Sequence, residues 1–372
     1  MSLWHTLPVI KDPRLEGGGG RLNHPMEGTQ LMHSKKFKTV LAATALGGAL
    51  VLTSCSGTSA ATGADTGKAY TGTIDLSLPL GEGSHQDIGA KAFGDKLTEL
   101  TDGRIEVQYF YNNTLGGERE VVEGMSIDSI DMGVTSTGPM GGFVPEFFVF
   151  DLPYLFESID HAYAVLDSEI GEELTTKFEE AANVKVLAWT ENGYRNETNS
   201  VRSIESPEDL VGIKHRTQES EVQVDTWRAL GANATPMAWP EVYTALQQGV
   251  MDSQENPIAT IMDVKFYEVQ DYLALTKHVY SPAPIMMSSV LFNSFSAEDQ
   301  AAVLEASAHA LPIQREASQV QEVEMTQALM DEGMQVTEPD LAPFRAAVEP
   351  VYVKWAPQIG EDLIDSIRNF DY

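Results

Sequence analysis

Ile74-Asp75-Leu76-Ser77-Leu78, Ile105-Glu106-Val107-Gln108-Tyr109 and Ile130-Asp131-Met132-Gly133-Val134 are the stretches on which the fold turns. In the first two, apolar residues alternate with polar ones, the period of a strand with one face buried. Between the first two, Ile88, Phe93, Leu97 and Leu100 recur at helical spacing, and Asp102-Gly103 ends the run. Between the second and third, Glu118 to Met125 reads as a short helix interrupted at Gly124. The order β-α-β-α-β predicts an α/β domain with a largely parallel sheet. Strand ends in such sheets open onto the crevice where ligands bind.

The pattern continues outward. Asp151-Leu152-Pro153-Tyr154-Leu155-Phe156 reads as a loop, helices cover about 159–182, and Val184 to Trp189 reads as a strand. Strands are expected at Ile213 and over Val250 to Asp252. A helix is expected over Val222 to Leu230, with Gly231 at its C′ position. Pro240 suits a first helical position and Gly249 the far end. Ile285 to Phe292 reads as a strand. Ser296 opens a long helix that continues beyond Pro312 from Ile313 to Met334, and the tail from Leu341 to Phe370 is helical. Thr135-Ser136-Thr137 and Glu255-Asn256 follow parallel helix-to-strand turns, so short hydroxyl and amide groups reach the crevice from both halves.

At 372 residues the chain exceeds one ordinary core, so two domains are expected. Its 42% hydrophobic and 21% charged residues are ordinary for a globular protein, but the net charge of -31 is not. Beyond residue 54 there are 18 basic and 52 acidic residues. Such a surface repels nucleic acid, and it repels an anion at long range, so an acid would need a local positive pocket. Arg195, in Gly193-Tyr194-Arg195, and Arg216, in Leu210-Val211-Gly212-Ile213-Lys214-His215-Arg216, are the candidates. The charge also reads as an aid to solubility or salt tolerance.

Cys55 is the only cysteine, which excludes a disulfide within the chain and a multi-cysteine zinc site. Lys35, Lys36 and Lys38 precede an apolar run from Val40 to Leu52, followed by Leu52-Thr53-Ser54-Cys55. A basic segment, roughly a dozen apolar residues and small residues at a cleavage point make a secretory signal. Leu-x-Ser-Cys resembles the bacterial lipobox, which implies cleavage before Cys55 and acylation of its thiol. The expected layout is therefore a non-native or misplaced upstream segment over 1–31, a lipoprotein signal over 32–54 and a flexible tether over 55–71. Lipidation would hold the protein at the outer face of a membrane, as an anchored rather than a spanning protein.

Leu115-Gly116-Gly117-Glu118, Phe150-Asp151-Leu152-Pro153-Tyr154-Leu155-Phe156 and the arginine stretches share one further companion. Ala238-Trp239-Pro240-Glu241-Val242-Tyr243-Thr244-Ala245-Leu246-Gln247-Gln248-Gly249 leads into Gln254-Glu255-Asn256-Pro257. Together they resemble the substrate-binding proteins of TRAP transporters, the tripartite ATP-independent periplasmic systems, from about Ile74 to Phe370. The resemblance implies a two-lobe, periplasmic-binding-protein-like α/β fold. Each lobe is a mixed sheet flanked by helices, and a long helix spans both. It places lobe I at 72–192 plus about 282–320. Lobe II takes 193–281 plus about 321–372, with spanning C-terminal helices.

Carried over residue by residue, Arg216 matches the family arginine that pairs with a ligand carboxylate. A guanidinium fork meets a carboxylate with two parallel bonds. Arg195 matches a second, variable arginine, Asn256 an asparagine that completes carboxylate recognition, and Trp239 an aromatic beside the arginine. Ser136, Glu82 and His85 fall where relatives place polar contacts, though His85 equally reads as a helix cap. Tyr194 and Met237 read as pocket wall or core. The implied function is capture of a small organic acid, with a sugar acid such as a hexuronate favoured over a C4-dicarboxylate or 2-oxo acid. The partners implied are the TRAP membrane permease subunits. No cofactor, no metal and no nucleic acid are expected, and the protein is expected to be a monomer. A secreted enzyme acting on sugar acids is the alternative. The chain holds no GxSxG, HExxH or GxxxxGK[ST] to support it.

Overall fold

The computed structural model describes residues 68–372. The expected upstream segment, the signal, the Cys55 lipobox and most of the tether lie outside the described residues. The tether reading runs too far, because the described chain is already tied down before residue 71. Lys68 bridges Phe295, and the Tyr70 ring packs on Phe295 with its backbone N–H on Asp299.

The chain opens with β1 (Gly72–Ser77), α1 (His85–Leu100), β2 (Ile105–Phe110), α2 (Glu118–Ser126) and β3 (Met132–Val134). Then come α3 (Ile159–Leu166), α4 (Glu169–Ala182), β4 (Val184–Ala188), β5 (Glu191–Asn199) and β6 (Lys214–Thr217). Next are α5 (Glu221–Ala229), β7 (Asn233–Pro236), α6 (Val242–Gln247), β8 (Ser253–Asn256), α7 (Ile258–Asp263) and β9 (Tyr272–Pro282). The last are β10 (Ile285–Ser288), α8 (Ser289–Ser294), α9 (Ala297–Asp331), β11 (Gln335–Thr337), α10 (Leu341–Ala347), α11 (Glu349–Ile359) and α12 (Glu361–Arg368).

These elements form two mixed sheets flanked by helices, the two lobes of the fold. The five-stranded sheet has the order β2-β1-β3-β10-β4, with β1 parallel to β2 and β3 and with β10 antiparallel to both its neighbours. The six-stranded sheet has the order β11-β9-β5-β8-β6-β7. The β5 and β9 strands pair antiparallel from Glu191 with Pro282 to Asn199 with Tyr272. They lead out of β4 and into β10, so this ribbon joins the lobes. The 35-residue helix α9 packs along α1 in the first lobe and α7 in the second.

Local chemistry explains most element ends. Ser84 caps α1 and Ser296 caps α9, each side chain accepting the N–H three residues on. Asn183 ends α4 in the left-handed region, at φ 54°. Gly89 lets α1 and α9 approach closely, since a Cβ there would lie 2.5 Å from Gln314 Cγ. One apolar core fills the first lobe between α1, α9 and the five-stranded sheet around Ile74, Phe93 and Val303. Another lies around Val242, Ile261 and Phe266 in the second. A third runs through Phe147, Phe178, Trp189 and Trp227 to Trp355, so the C-terminal helices pack against both lobes.

Several expectations shift. The strand expected at Ile213 begins at Lys214, and that expected at Val250 to Asp252 lies at Ser253–Asn256. Ile285 to Phe292 is not one strand: Ser288 accepts the Leu291 N–H and turns the chain into α8. The long helix continues past Pro312 as expected, but it stops at Asp331, before the expected Met334. The tail divides into three helices, the last break falling at Gly360.

Candidate functional site

The six-stranded sheet brings β5, β8 and β6 side by side, so Arg195, Glu255, Asn256 and Arg216 converge. All are at most 3% exposed. A register irregularity between Arg195 and Glu197 re-aims this part of β5.

The two arginines are held differently. Arg195 forms a fork with Glu255: Nε donates to Oε2, and Nη2 donates to Oε1 at 2.9 Å and to the Glu255 backbone carbonyl at 2.8 Å. Burial pushes the Glu255 carboxyl up, but Arg195 and the hydrogen bond from His278 outweigh it and hold it well below the usual carboxylate range. The His278 ring is itself kept neutral by burial, with Nε2 3.2 Å from Glu255. Arg216 has no acid partner among the described residues. Its Nε and Nη2 both donate to the Met237 carbonyl, at 3.0 and 2.8 Å, and its Nη1 is buried without a partner. Burial lowers its pKa to about 10, which leaves it charged at neutral pH. The Trp239 ring lies 5.7 Å from its guanidinium carbon, a cation–π distance.

Between the lobes Arg195, Trp239 and Asn256 border a small space of about 20 Å³. That is room for about one water molecule. Arg195, Gln218, Asn256 and Thr260 face it from the second lobe, and Gln86, Glu118, Ser136 and Asn192 from the first. Pro79, Leu80 and Trp239 supply the apolar wall. Several contacts cross it. Gln218 Nε2 donates to Ser136 Oγ, Trp239 Nε1 donates to the Pro79 carbonyl at 3.3 Å, and Gly81 N donates to Asp263 at 3.1 Å. Ser136 in turn gives both its N–H and its hydroxyl to Glu118 Oε1, at 2.7 and 2.8 Å. A wider groove of about 460 Å³ over Met237 sets Arg119 among Glu219, Glu221 and Glu241, a poor setting for an anion.

Of the residues expected from the sequence, Arg195, Ser136, Trp239 and Asn256 line the space. Arg216 stands beside Trp239. Three others are placed differently. Glu82 is solvent-exposed and pairs with Lys91 at 2.9 Å, because Gly83 turns the chain before α1 begins. Tyr194 follows Gly193 on β5 and takes the face opposite Arg195, as neighbours on a strand do; its hydroxyl donates to the Phe156 carbonyl and its ring packs on Tyr280. His85 is fully buried but outside the lining, and it does not cap α1, since Ser84 does. Burial lowers its pKa to about 4, so it is neutral, and neither ring nitrogen has a partner. Met237 contributes its carbonyl to Arg216 and packs against the second-lobe core.

The sequence reading missed Gln86, Glu118, Asn192, Gln218 and Thr260. Gln218 carried a usable signal, since it lies two residues beyond Arg216, just past the end of β6. Among the described residues no group of three or more His, Cys, Asp or Glu is arranged to hold a metal ion. No described helix is long and apolar enough to cross a membrane.

Comparison with known proteins yields one family. Bacterial extracellular solute-binding protein, family 7 (DctP), matches residues 77–358. Three solved TRAP periplasmic solute-binding proteins share the fold. One from Polaromonas sp JS666, bound to D-erythronate, is 40% identical with a TM-score of 0.79, covering 81% of this chain and 99% of the other. One from Sulfitobacter, with β-D-galacturonate, is 32% identical with a TM-score of 0.78, covering 80% and 100%. One from Sulfurospirillum deleyianum, with succinate, is 29% identical with a TM-score of 0.78, covering 82% and 100%.

Proposed function

We propose a ligand and a mode of capture from one premise: this chain belongs to the bacterial extracellular solute-binding proteins of family 7, the TRAP solute-binding proteins, which bind and do not catalyse. The ligand is an acid with one carboxylate and several hydroxyls, of the sugar-acid class. The observation that carries this is the unpaired Nη1 of buried, charged Arg216, whose only hydrogen-bond partner is a neutral carbonyl. A carboxylate there gains a charge-assisted bond from a group that has no other charge to meet. Asn256, Gln218, Asn192, Gln86 and Thr260 supply amide and hydroxyl groups suited to ligand hydroxyls.

A C4-dicarboxylate is the second reading, favoured by the succinate held in the Sulfurospirillum relative. The charges in this chain speak against it. Arg195 is already neutralised by Glu255, and Glu118 adds a carboxylate to the lining. A second ligand carboxylate would meet no free cation and one like charge.

Ligand sites commonly run to hundreds of Å³. Entry therefore requires the lobes to part and the Gln218–Ser136, Trp239–Pro79 and Gly81–Asp263 contacts to open. Closure then buries the acid and favours the form that docks on the permease subunits. The lobe limits and the Cys55 lipid anchor stay as read from the sequence, as does the monomeric state. The anchor is tested by mass spectrometry of the membrane-extracted protein, which should show a diacylated Cys55 and nothing upstream of it. The ligand is tested by a thermal-shift screen of D-erythronate, D-galacturonate, D-galactonate, 2-oxo acids and succinate. A stabilising shift with a hydroxylated monocarboxylate and none with succinate is expected. Stabilisation by succinate alone would overturn the reading, and turnover of any acid would point to an enzyme.

A further inference from the structure

Behind the cavity wall, a run of buried polar groups connects the lobes. Asp151 ends the turn Pro145–Asp151 of the first lobe and is 2% exposed. Its Oδ2 accepts from Ser220 Oγ and its Oδ1 from Gln223 Nε2, both at 2.7 Å, on and beside α5 of the second lobe. Among the described residues no cation touches it. Burial pushes its carboxyl up to about 7, against the lowering effect of those two hydrogen bonds. The other charges that bear on it are Arg195 and Glu255, which act in opposite directions and are paired with each other.

The hydrogen bonds run in one direction. A carboxylate only accepts, so Gln223 must turn its Nε2 toward Asp151. That Nε2 also donates to Gln218 Oε1 at 2.9 Å, while Gln223 Oε1 accepts the Gln218 backbone N–H at 3.1 Å. The side-chain oxygen of Gln218 is thereby committed, and its Nε2 faces Ser136 in the cavity wall. Gly138 closes the fit, since a Cβ there would stand 2.5 Å from Gln218 Oε1. The oxygen and nitrogen of an amide have nearly the same shape, so packing cannot choose between its two orientations. An obligate donor on one side of Gln223, the Gln218 backbone N–H, and an obligate acceptor on the other, the Asp151 carboxylate, choose together.

We propose that Asp151 is a positioning residue, which through Gln223 sets Gln218 as a hydrogen-bond donor in the wall of the ligand cavity. The cavity then offers an N–H group to an acceptor oxygen of the bound acid, a specificity that rests on the acid-binding reading above. Asp151 itself touches no ligand. Protonation of Asp151, or replacement by Asn, leaves one neutral oxygen to accept from Gln223 and turns the other position into a donor toward Ser220, so the charge-assisted bond to Gln223 is lost. Gln223 is then held less firmly, and so is the Gln218 side chain it fixes. Affinity for the acid accordingly falls as pH falls through about 7.

The test uses the full chain in two arms. In the first, the ligand-free protein is labelled with 15N-glutamine, and the Gln218 side-chain signals are assigned by their loss in Gln218→Met. Wild type is expected to show them shifting with a midpoint near pH 7. Asp151→Asn is expected to abolish that shift while its melting temperature at pH 8 stays the same or rises, since a buried charge without a cation has been removed. In the second arm, calorimetry with D-erythronate and D-galacturonate is expected to show about tenfold weaker binding in Asp151→Asn at pH 8, a change of ~1.4 kcal/mol, with the pH dependence gone. Should Asp151→Asn fail to fold, Ser220→Ala removes one donor and is expected to move the Gln218 midpoint to higher pH. A Gln218 signal that ignores pH in wild type, or titrates alike in Asp151→Asn, overturns the proposal whatever the protein binds. An intact, Asp151-dependent titration with no binding of either acid supports the positioning role and counts instead against the ligand assignment.

Discussion

Arg195 and Arg216 lie in the same sheet, are equally buried, and differ in what they face. Arg195 meets a carboxylate of its own chain in a two-pronged pair, and His278 buttresses that carboxylate from behind. Arg216 meets the Met237 carbonyl and the Trp239 ring but no anion; each arginine keeps its Nη1 without a partner, so the counter-charge is what separates them. A buried ion pair is neutralised within the fold, whereas a buried cation without an anion is a binding site in waiting. The difference turns on a single neighbour, Glu255, which sits beside Arg195 and beyond hydrogen-bonding reach of Arg216.

The comparison is broken most forcefully at that neighbour. Glu255→Ala leaves Arg195 buried and uncompensated, and is expected to lower stability by ~3–5 kcal/mol, read by chemical denaturation. A change under about 1 kcal/mol would mean the pair is not structural. Arg216→Ala is expected to act on the ligand instead. Affinity for the bound acid should fall by at least ~3 kcal/mol, while stability at neutral pH holds or improves. Arg216→Lys should recover little, because an ammonium cannot form the fork. Loss of stability without loss of affinity in Arg216→Ala would reverse the roles assigned to the two arginines.

Trp239→Phe keeps a ring beside Arg216 but gives up the stronger indole face and the hydrogen bond to Pro79. Binding is expected to weaken by about 1 kcal/mol, measured by calorimetry. The smallest effect is on the pH dependence of folding. Burial raises the carboxyls of Asp151, Glu197 and Glu322 to about 7. Through that range the folded protein binds protons that the unfolded chain does not, so stability should rise as pH falls from about 8.5 to 6.5. Below about 6.5 the neutral buried rings of His85, His215 and His278 oppose further gain, because the unfolded chain protonates them first. A melting temperature that falls steadily from pH 8.5 to 6.5 would show that these carboxyls are ionised without penalty.

How far the molecule could be read from its sequence follows the same division between apolar and polar interiors. The first lobe announced itself, since β1 and β2 alternate and α1 keeps its apolar face. Both ribbon strands escaped notice. Glu191–Asn199 is a run of polar residues, buried because its side chains bond one another and their neighbours rather than because they are apolar. Thr198 bonds Gln254 and Gln270, and Glu197 bonds Ser253, which bonds His215. Hydrophobic periodicity carries no signal from such a strand. The same limit governed the site. The arginines, Trp239 and Asn256 were legible through their motif, but Glu82 and Tyr194 were placed by proximity in sequence, where strand alternation and the Gly83 turn decide the outcome. Gln218 and Glu118 matter through partners 82 and 18 residues away, which no local pattern displays.

The claim that Arg216, of the two arginines, is the one without a counter-charge is tested most directly by calorimetry with two acids that differ by one carboxylate, D-galactonate and galactarate. The monocarboxylate is expected to bind at least about tenfold tighter, the equivalent of ~1.4 kcal/mol. Equal or tighter binding of galactarate would show that Arg195 gives up Glu255 for a ligand, and would contradict the division of roles between the two arginines.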